Sequence, residues 1–485
     1  MLGSPVISGP ERRPAAEIFP SCPQPDGDSM SAHEAQTRSV LLESLRRLLR
    51  RGASGHVVNL LSKFRPADVA ALFKDLNERQ RREVFVALAS RDPDRAALVL
   101  RELNVHAGLE LLDVLDKEQR AMVMGALTPD DAAELISEMD EDGRQELLET
   151  LRSREAREIR HLLEYGEETG GRIMNPEFFA VKETVTAAEA ITALQDRGAE
   201  VEVPFYIYVV DERQHLLGVL SLRQLLLARP GEQVSHTMTT DVVSSTTDMD
   251  QEEIARLVAR YDLLAIPVVD GQHRLVGVIA IDDIIDVLKE EATEDFYRLA
   301  GTSEDERLHR SVFRAVRLRI PWLLASLAGG LLASQVINHY QGVLTKVVIL
   351  AGFIPVILGM GGNIGTQCST IIVRGLATGR IEIRELWPVI FREVRIAMIL
   401  GVIYGTLLGL GGLFLLEISP SVALLIGLSL LASMLIAALF GSALPMLLSR
   451  MGVDPAVATG PLITTSVDVM AIAIFFQLAV LLVLD

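Results

Sequence analysis

The sequence predicts a multidomain protein in which an α-solenoid and a duplicated α+β module precede an all-α bundle of five transmembrane helices. Three observations predict this. The net charge of −18 falls entirely on residues 1–319, which carry 39 basic and 57 acidic side chains, whereas from Ile320 onward seven Lys/Arg balance seven Asp/Glu. Five apolar stretches fill that neutral last third, each near or above the ~20 residues that cross ~30 Å of hydrocarbon as a helix. Two internal repeats of different offset, 63 and 59 positions, divide the soluble part.

Residues 1–30 are proline-rich and lack an apolar run, so they read as a disordered leader rather than a secretory signal. The only cysteines are Cys22 and Cys368, which excludes a disulfide framework and places the soluble part in a reducing compartment. An acidic soluble region also argues against a nucleic-acid partner, because phosphate binding needs a basic face. It suits cations.

Residues 31–165 form the predicted α-solenoid. Pro66-Ala-Asp-Val-Ala-Ala-Leu-Phe returns as Pro129-Asp-Asp-Ala-Ala-Glu-Leu-Ile, and Leu76-Asn-Glu-Arg-Gln returns as Met139-Asp-Glu-Asp-Gly. Apolar residues at helical spacing after Pro or Asp starts describe short amphipathic helices in a stacked array.

The second repeat occupies 166–232 and 233–290. Val209-Val-Asp211 through Leu217-Gly-Val219 returns as Val268-Val-Asp270 through Val276-Gly-Val278, and Met174 and Met238 open the two halves. Two copies of β-α-β-β-α make a pseudo-symmetric module, which resembles a tandem pair of cystathionine-β-synthase (CBS) domains. The Ser/Thr-x-x-Asp pattern that holds a nucleotide ribose in such domains is broken twice: Ser221-Leu-Arg-Gln224 lacks the Asp, and Ala280-Ile-Asp-Asp283 lacks the hydroxyl. Ser221, Arg223 and Asp283 are the candidate contacts for a nucleotide such as ATP.

Ten carboxylates lie between 282 and 306 against Lys289 and Arg298. Spacing places Asp283, Asp286, Glu290 and Glu294 on one helical face, which is unfavourable unless a cation lies opposite. A solvated face, or pairing with the arginines at 307–319, is the ordinary alternative. This connecting segment, 291–319, leads into the first span, so cations bound on it could move the membrane part.

The predicted spans are 320–340, 347–373, 389–416, 421–448 and 455–484. Eleven Arg lie on one set of flanks and loops and only Lys346 on the other, which puts the N-terminal region in the cytoplasm and Asp485 outside a cell (inner) membrane. Two stretches are unlike lipid-facing helix. Gly359 to Gln367 carries four glycines, Gly362 among them, with Asn363, Thr366 and Gln367 at membrane depth; it serves either close helix packing or, through the amide oxygens of Asn363 and Gln367, a hydrated hard cation. In the last span Asp468 falls near the midplane by count with no Lys or Arg in the helix. A charge there costs roughly 2.5–3.5 kcal/mol, so it faces a cavity or an ion path unless it is a protonated structural acid. Pro461 frees a carbonyl near 457, and Thr464 lies one turn before Asp468. Such oxygen donors suit Mg²⁺, Mn²⁺ or Ca²⁺.

Together these segments resemble the MgtE family of magnesium channels, on Tyr208-Val-Val-Asp211, Asp262-Leu-Leu-Ala-Ile-Pro-Val-Val-Asp270, Asp282-Asp283 with Glu291-Ala-Thr-Glu294-Asp295, Gly361-Gly-Asn-Ile-Gly-Thr-Gln367, and Asp454-Pro-Ala-Val-Ala with Pro461 and Asp468. The resemblance implies a homodimer whose acidic connecting (plug) helix gates the pore. It implies an axial ion site formed by Asp468, Asn363 and the backbone near Thr464, and regulatory Mg²⁺ at Asp130, Glu134, Asp282, Asp283, Asp286, Glu291, Glu294 and Asp295. The expected function is Mg²⁺ influx closed by cytosolic Mg²⁺, with no chemical step. Two rivals share these features: a secondary transporter of Mn²⁺ or Co²⁺, and a CBS-based membrane sensor.

Overall fold

The computed structural model describes residues 40–197, 205–299, 302, 312–378, 380–381, 386–455 and 460–484. The leader and most of 300–311, including Glu304 to Glu306, Arg307 and Arg310, lie outside them. The chain divides into two compact units between His161 and Leu162.

The N-terminal unit is a run of short helices. After α1 (40–50) come α2 (Ser54–Leu61), α3 (Pro66–Phe73), α4 (Glu78–Arg91), α5 (Pro93–Arg101), α6 (Val105–Leu112), α7 (Lys117–Met124), α8 (Pro129–Ser137), α9 (Glu141–Thr150) and α10 (Ser153–Leu163). The repeat is structural as well as sequential. Pro66 and Pro129 each occupy the first turn of their helix, where the missing N–H costs nothing. Asn77 and Asp140, 63 positions apart, cap α4 and α9 by accepting the Gln80 and Gly143 N–H groups. Phe85, Leu88, Leu100, Leu112 and Ile136 are fully buried, each worth about 1.5–3 kcal/mol of burial.

The second unit opens with the duplicated module. Strands β1 (Ala180–Lys182), β2 (Tyr206–Val210) and β3 (Leu216–Ser221) form one sheet, and β4 (Ser245–Thr246), β5 (Ala265–Val269) and β6 (Leu275–Ala280) the other. In both, the first pair is parallel and the second antiparallel, and the register slips at the equivalent step, Val209/Val210 and Val268/Val269. The two halves cross-brace. Met174 packs on Gly277 of the second half and Met238 on Gly218 of the first, where an added Cβ would lie 2.6 and 2.5 Å from the sulfur atoms. Asn175 pairs with Val278, and Thr239 with Val219. Helices α11 (Gly170–Ile173), α12 (Ala187–Arg197), α13 (Leu222–Leu227), α14 (Val234–Thr237) and α15 (Gln251–Tyr261) flank the strands, and α16 (Ile281–Leu299) leaves β6 and runs unbroken across residue 290.

Among the described residues five helices are long and apolar enough to cross a membrane, as predicted: Ala315–His339, Val348–Ala377, Leu386–Leu415, Pro420–Arg450 and Leu462–Val483. The fourth is central, packing on the second, third and fifth, while the first packs on the fifth. Glycines set these crossings, as expected where small residues must replace a hydrophobic driving force. A Cβ on Gly405 would lie 2.6 Å from the Gly427 carbonyl oxygen, and one on Gly441 2.5 Å from that of Gly365.

Candidate ion site and cytosolic carboxylate cluster

The fifth membrane helix begins at Pro461, its first-turn residue, rather than at 455. Two expectations change. Pro461 starts the helix instead of breaking it, because proline is favoured where no intrahelical N–H is needed; the carbonyl near 457 lies outside the described residues. Asp468 therefore stands in the second turn, about 10 Å from the helix start at ~1.5 Å per residue, and not near mid-span. The Gly460 carbonyl accepts both the Thr464 N–H at 3.3 Å and the Thr464 hydroxyl at 3.1 Å.

The two polar stretches pack on one another. Val467 and Ile463 lie against Gly361 and Gly365, where added Cβ atoms would meet Val467 Cγ1 at 3.3 Å and Ile463 Cγ2 at 3.2 Å. Gly361 also fits under the hydroxyl of buried Ser433. Asp468, beside Val467, is half-buried; Gly362 is half-buried and Asn363 and Thr366 are exposed on the other side of their helix. Among the described residues no hydrogen bond joins Asn363 to Asp468. Within one chain these polar groups therefore lie on different faces and do not close into a cage among the described residues.

The cytosolic carboxylates separate into groups that helical spacing did not predict. Asp283 accepts the Ala280 N–H at 3.2 Å and so caps α16 beside Asp282. Asp286 and Glu290 are exposed, and Asp286 pairs with Lys289 at 2.6 Å. Glu291, Glu294 and Asp295 turn inward, half-buried. There they meet acids from three distant segments, Glu168, Asp250 with Glu252, and Asp454, none of which the sequence reading had chosen as a site. No spacing could have found them; only the Asp454-Pro-Ala-Val-Ala stretch was noticed.

The electrostatics follow from that crowding. Burial pushes Glu291 above the ordinary carboxylate range against the pull of its 2.8 Å hydrogen bond from Gln251 Nε2, and Glu252, Glu168 and Asp250 add to the push. Burial likewise raises Glu294; Arg298 opposes, and Glu168, Glu291 and Asp454 reinforce. Asp295 goes furthest, pushed up to about 6 by burial and then by Asp454 and Glu252, against Arg374 and Arg298. Such acids gain from any cation that approaches. Among the described residues no three His, Cys, Asp or Glu side chains converge closely enough to hold a metal by themselves, so the arrangement suits a hard ion that keeps part of its water shell. Asp130 and Glu134 lie on α8 in the N-terminal unit.

In the CBS pair, Ser221 is the N-cap of α13: its hydroxyl accepts the Gln224 N–H at 3.2 Å, and Gln224 Oε1 accepts the Ser221 N–H at 2.8 Å. The position that would meet a ribose is occupied with capping. Arg223 follows in the first turn.

A half-buried acid in a membrane helix and a crowd of carboxylates held above their ordinary range suit a divalent cation, and the family model described as "Divalent cation transporter" matches residues 354–478. Models of the MgtE intracellular N domain and of the CBS domain match 64–168 and 171–231 with 233–290. The magnesium transporter MgtE of Thermus thermophilus is 35% identical over 91% of this chain and 98% of its own length. That of Bacillus subtilis is 33% identical over 89% and 95%. A crystal structure of the cytosolic domain of the Mg²⁺ channel MgtE in complex with ATP, 36% identical, covers 51% of this chain and 99% of its own with a TM-score of 0.49. This chain belongs to the MgtE family of magnesium transporters and is a multi-pass membrane protein.

Proposed function

We propose that the chain forms a homodimeric Mg²⁺ channel of the cell membrane, N-terminus cytoplasmic, through which Mg²⁺ enters down its electrochemical gradient past Asp468 of each subunit. The observation that carries this reading is Asp468: a half-buried acid in a membrane helix without Lys or Arg, packed on the Gly361–Gly365 segment. Asn363, Thr464 and Gly362 supply further oxygens along the path. Asn363, exposed at membrane depth in one subunit, needs water or a second subunit for its amide, whereas the Thr366 hydroxyl donates to the Gly362 carbonyl at 2.9 Å; the Asn363 amide supports a dimer axis. Nothing in the reading requires a chemical step.

Gating resides in the carboxylates. At high cytosolic Mg²⁺ the ion occupies the cluster of Glu291, Glu294 and Asp295, with Asp130, Glu134, Asp282, Asp283 and Asp286 as further ligands, and favours the closed form. When Mg²⁺ falls, like charges separate and the pore opens. An ion can bias the closed form only by binding it more tightly. ATP, the ligand of the relative's cytosolic domain, is the nucleotide to titrate at Ser221, Arg223 and Asp283.

The decisive experiment is growth rescue of a Mg²⁺-uptake-deficient cell. Wild type rescues and Asp468→Ala, at equal membrane abundance, does not; rescue by the variant would refute the pore assignment. Currents far above carrier turnover exclude a secondary transporter of Mn²⁺ or Co²⁺, and uptake itself excludes a pure sensor.

A further inference from the structure

Arg298 ion-pairs the connecting helix to the membrane domain. Its guanidinium pairs with Glu294 one turn back on α16 and with Asp454, which follows the fourth membrane helix and stands seven positions before Pro461. The three side chains are only 35%, 30% and 31% exposed. Water screens this bridge less than it screens a surface pair. Two donor nitrogens serve two carboxylates, the fork geometry that lysine lacks. The acids around it, Glu168, Glu294 and Asp454, all favour its charged form.

We propose that Arg298 is a protein-borne counter-cation that fastens α16 to the loop between the fourth and fifth membrane helices in the absence of Mg²⁺, and so sets how much Mg²⁺ closing requires. The inference rests on the gating reading above. Without Arg298, Glu294 and Asp454 would lose the positive charge they share, and Asp295 would feel Asp454 less compensated. With it, two of those carboxylates are already compensated, and Mg²⁺ has only the remaining acids to screen. Arg374, near Asp295, offers a second positive charge from the end of the second membrane helix but no ion pair to α16 among the described residues.

Two measurements test this on the full-length protein. The first is a double-mutant cycle on thermal unfolding in EDTA with Arg298→Gln, Asp454→Asn and the pair. The pair is expected to fall short of the summed single shifts by about 2 °C, and Arg298→Asp with Asp454→Arg to regain most of the loss. Additive shifts overturn the bridge. The second is the cytosolic Mg²⁺ concentration that half-closes the channel. It should rise several-fold in Arg298→Gln, rise by a smaller factor in Arg298→Lys, which keeps the charge but not the fork, and return in the charge swap. A coupled pair with an unmoved half-closing concentration overturns the role in gating. Wild-type protein that does not close with Mg²⁺ overturns the gating reading itself, and the EDTA cycle then judges the bridge alone.

Discussion

A carboxylate half out of water among other carboxylates keeps its proton to higher pH, and Asp295, held at about 6, is the clearest case here. Its pKa in the folded protein exceeds the unfolded value of ~3.9. The stability it lends is therefore complete below pH 4 and is lost as pH rises through 6. In EDTA the unfolding temperature should rise as pH drops from 7.5 to 5.5, and Asp295→Asn should flatten that rise. Because Mg²⁺ and protons compete for the same oxygens, Mg²⁺ affinity measured by calorimetry should fall over the same interval. A pH-independent affinity would exclude Asp295 from the cation site. At Ser221 the scale of the effect is a helix cap: Ser221→Ala should cost roughly 1 kcal/mol of stability, whatever it does to nucleotide binding.

At the scale of elements, close approach decides most of the architecture. Gly218 and Gly277 exist because methionine side chains from the opposite half lie where a side chain would be. Either glycine replaced by Val should loosen the CBS pair by about 1–3 kcal/mol, the usual cost of overpacking, seen as a lower unfolding temperature of that module. Gly405 and Gly427 place each other's backbones in contact between the third and fourth membrane helices. Gly405→Leu should push those helices apart and lower detergent stability, while Gly411→Leu, with nothing within 4 Å of its added Cβ, should not. The sequence showed the repeats that build these elements, because Pro and Asn/Asp starts recur at a constant offset and local capping chemistry needs no tertiary context. It misplaced the start of the last helix. An apolar window carries no start signal of its own, while proline at the first turn is the stronger signal.

For the whole molecule the issue is charge. Residues 1–319 hold the entire excess of acid, and the structure gathers several of those acids where α16 meets Glu168, Glu252 and, from the membrane third, Asp454. Neutralising Glu291, Glu294 and Asp295 together to amides should leave a channel that stays open at high cytosolic Mg²⁺ and a protein more stable in EDTA; unchanged closing would refute the sensor role. Composition and periodicity were enough for the membrane third, the helical array and the duplicated module, because each rests on patterns within a few dozen residues. Asp468 was legible too, since an acid in an apolar helix stands out by itself, although its depth was not. What folding alone settled is which acids face one another. Helical spacing grouped Asp283, Asp286, Glu290 and Glu294, whereas packing turned Glu291, Glu294, Asp295 and Arg298 inward, where Gln251 and Asp454, the hydrogen-bond partners of Glu291 and Arg298, lie 40 and 156 residues away in the chain. Coulomb interactions act through space, and no interval along the chain records that distance.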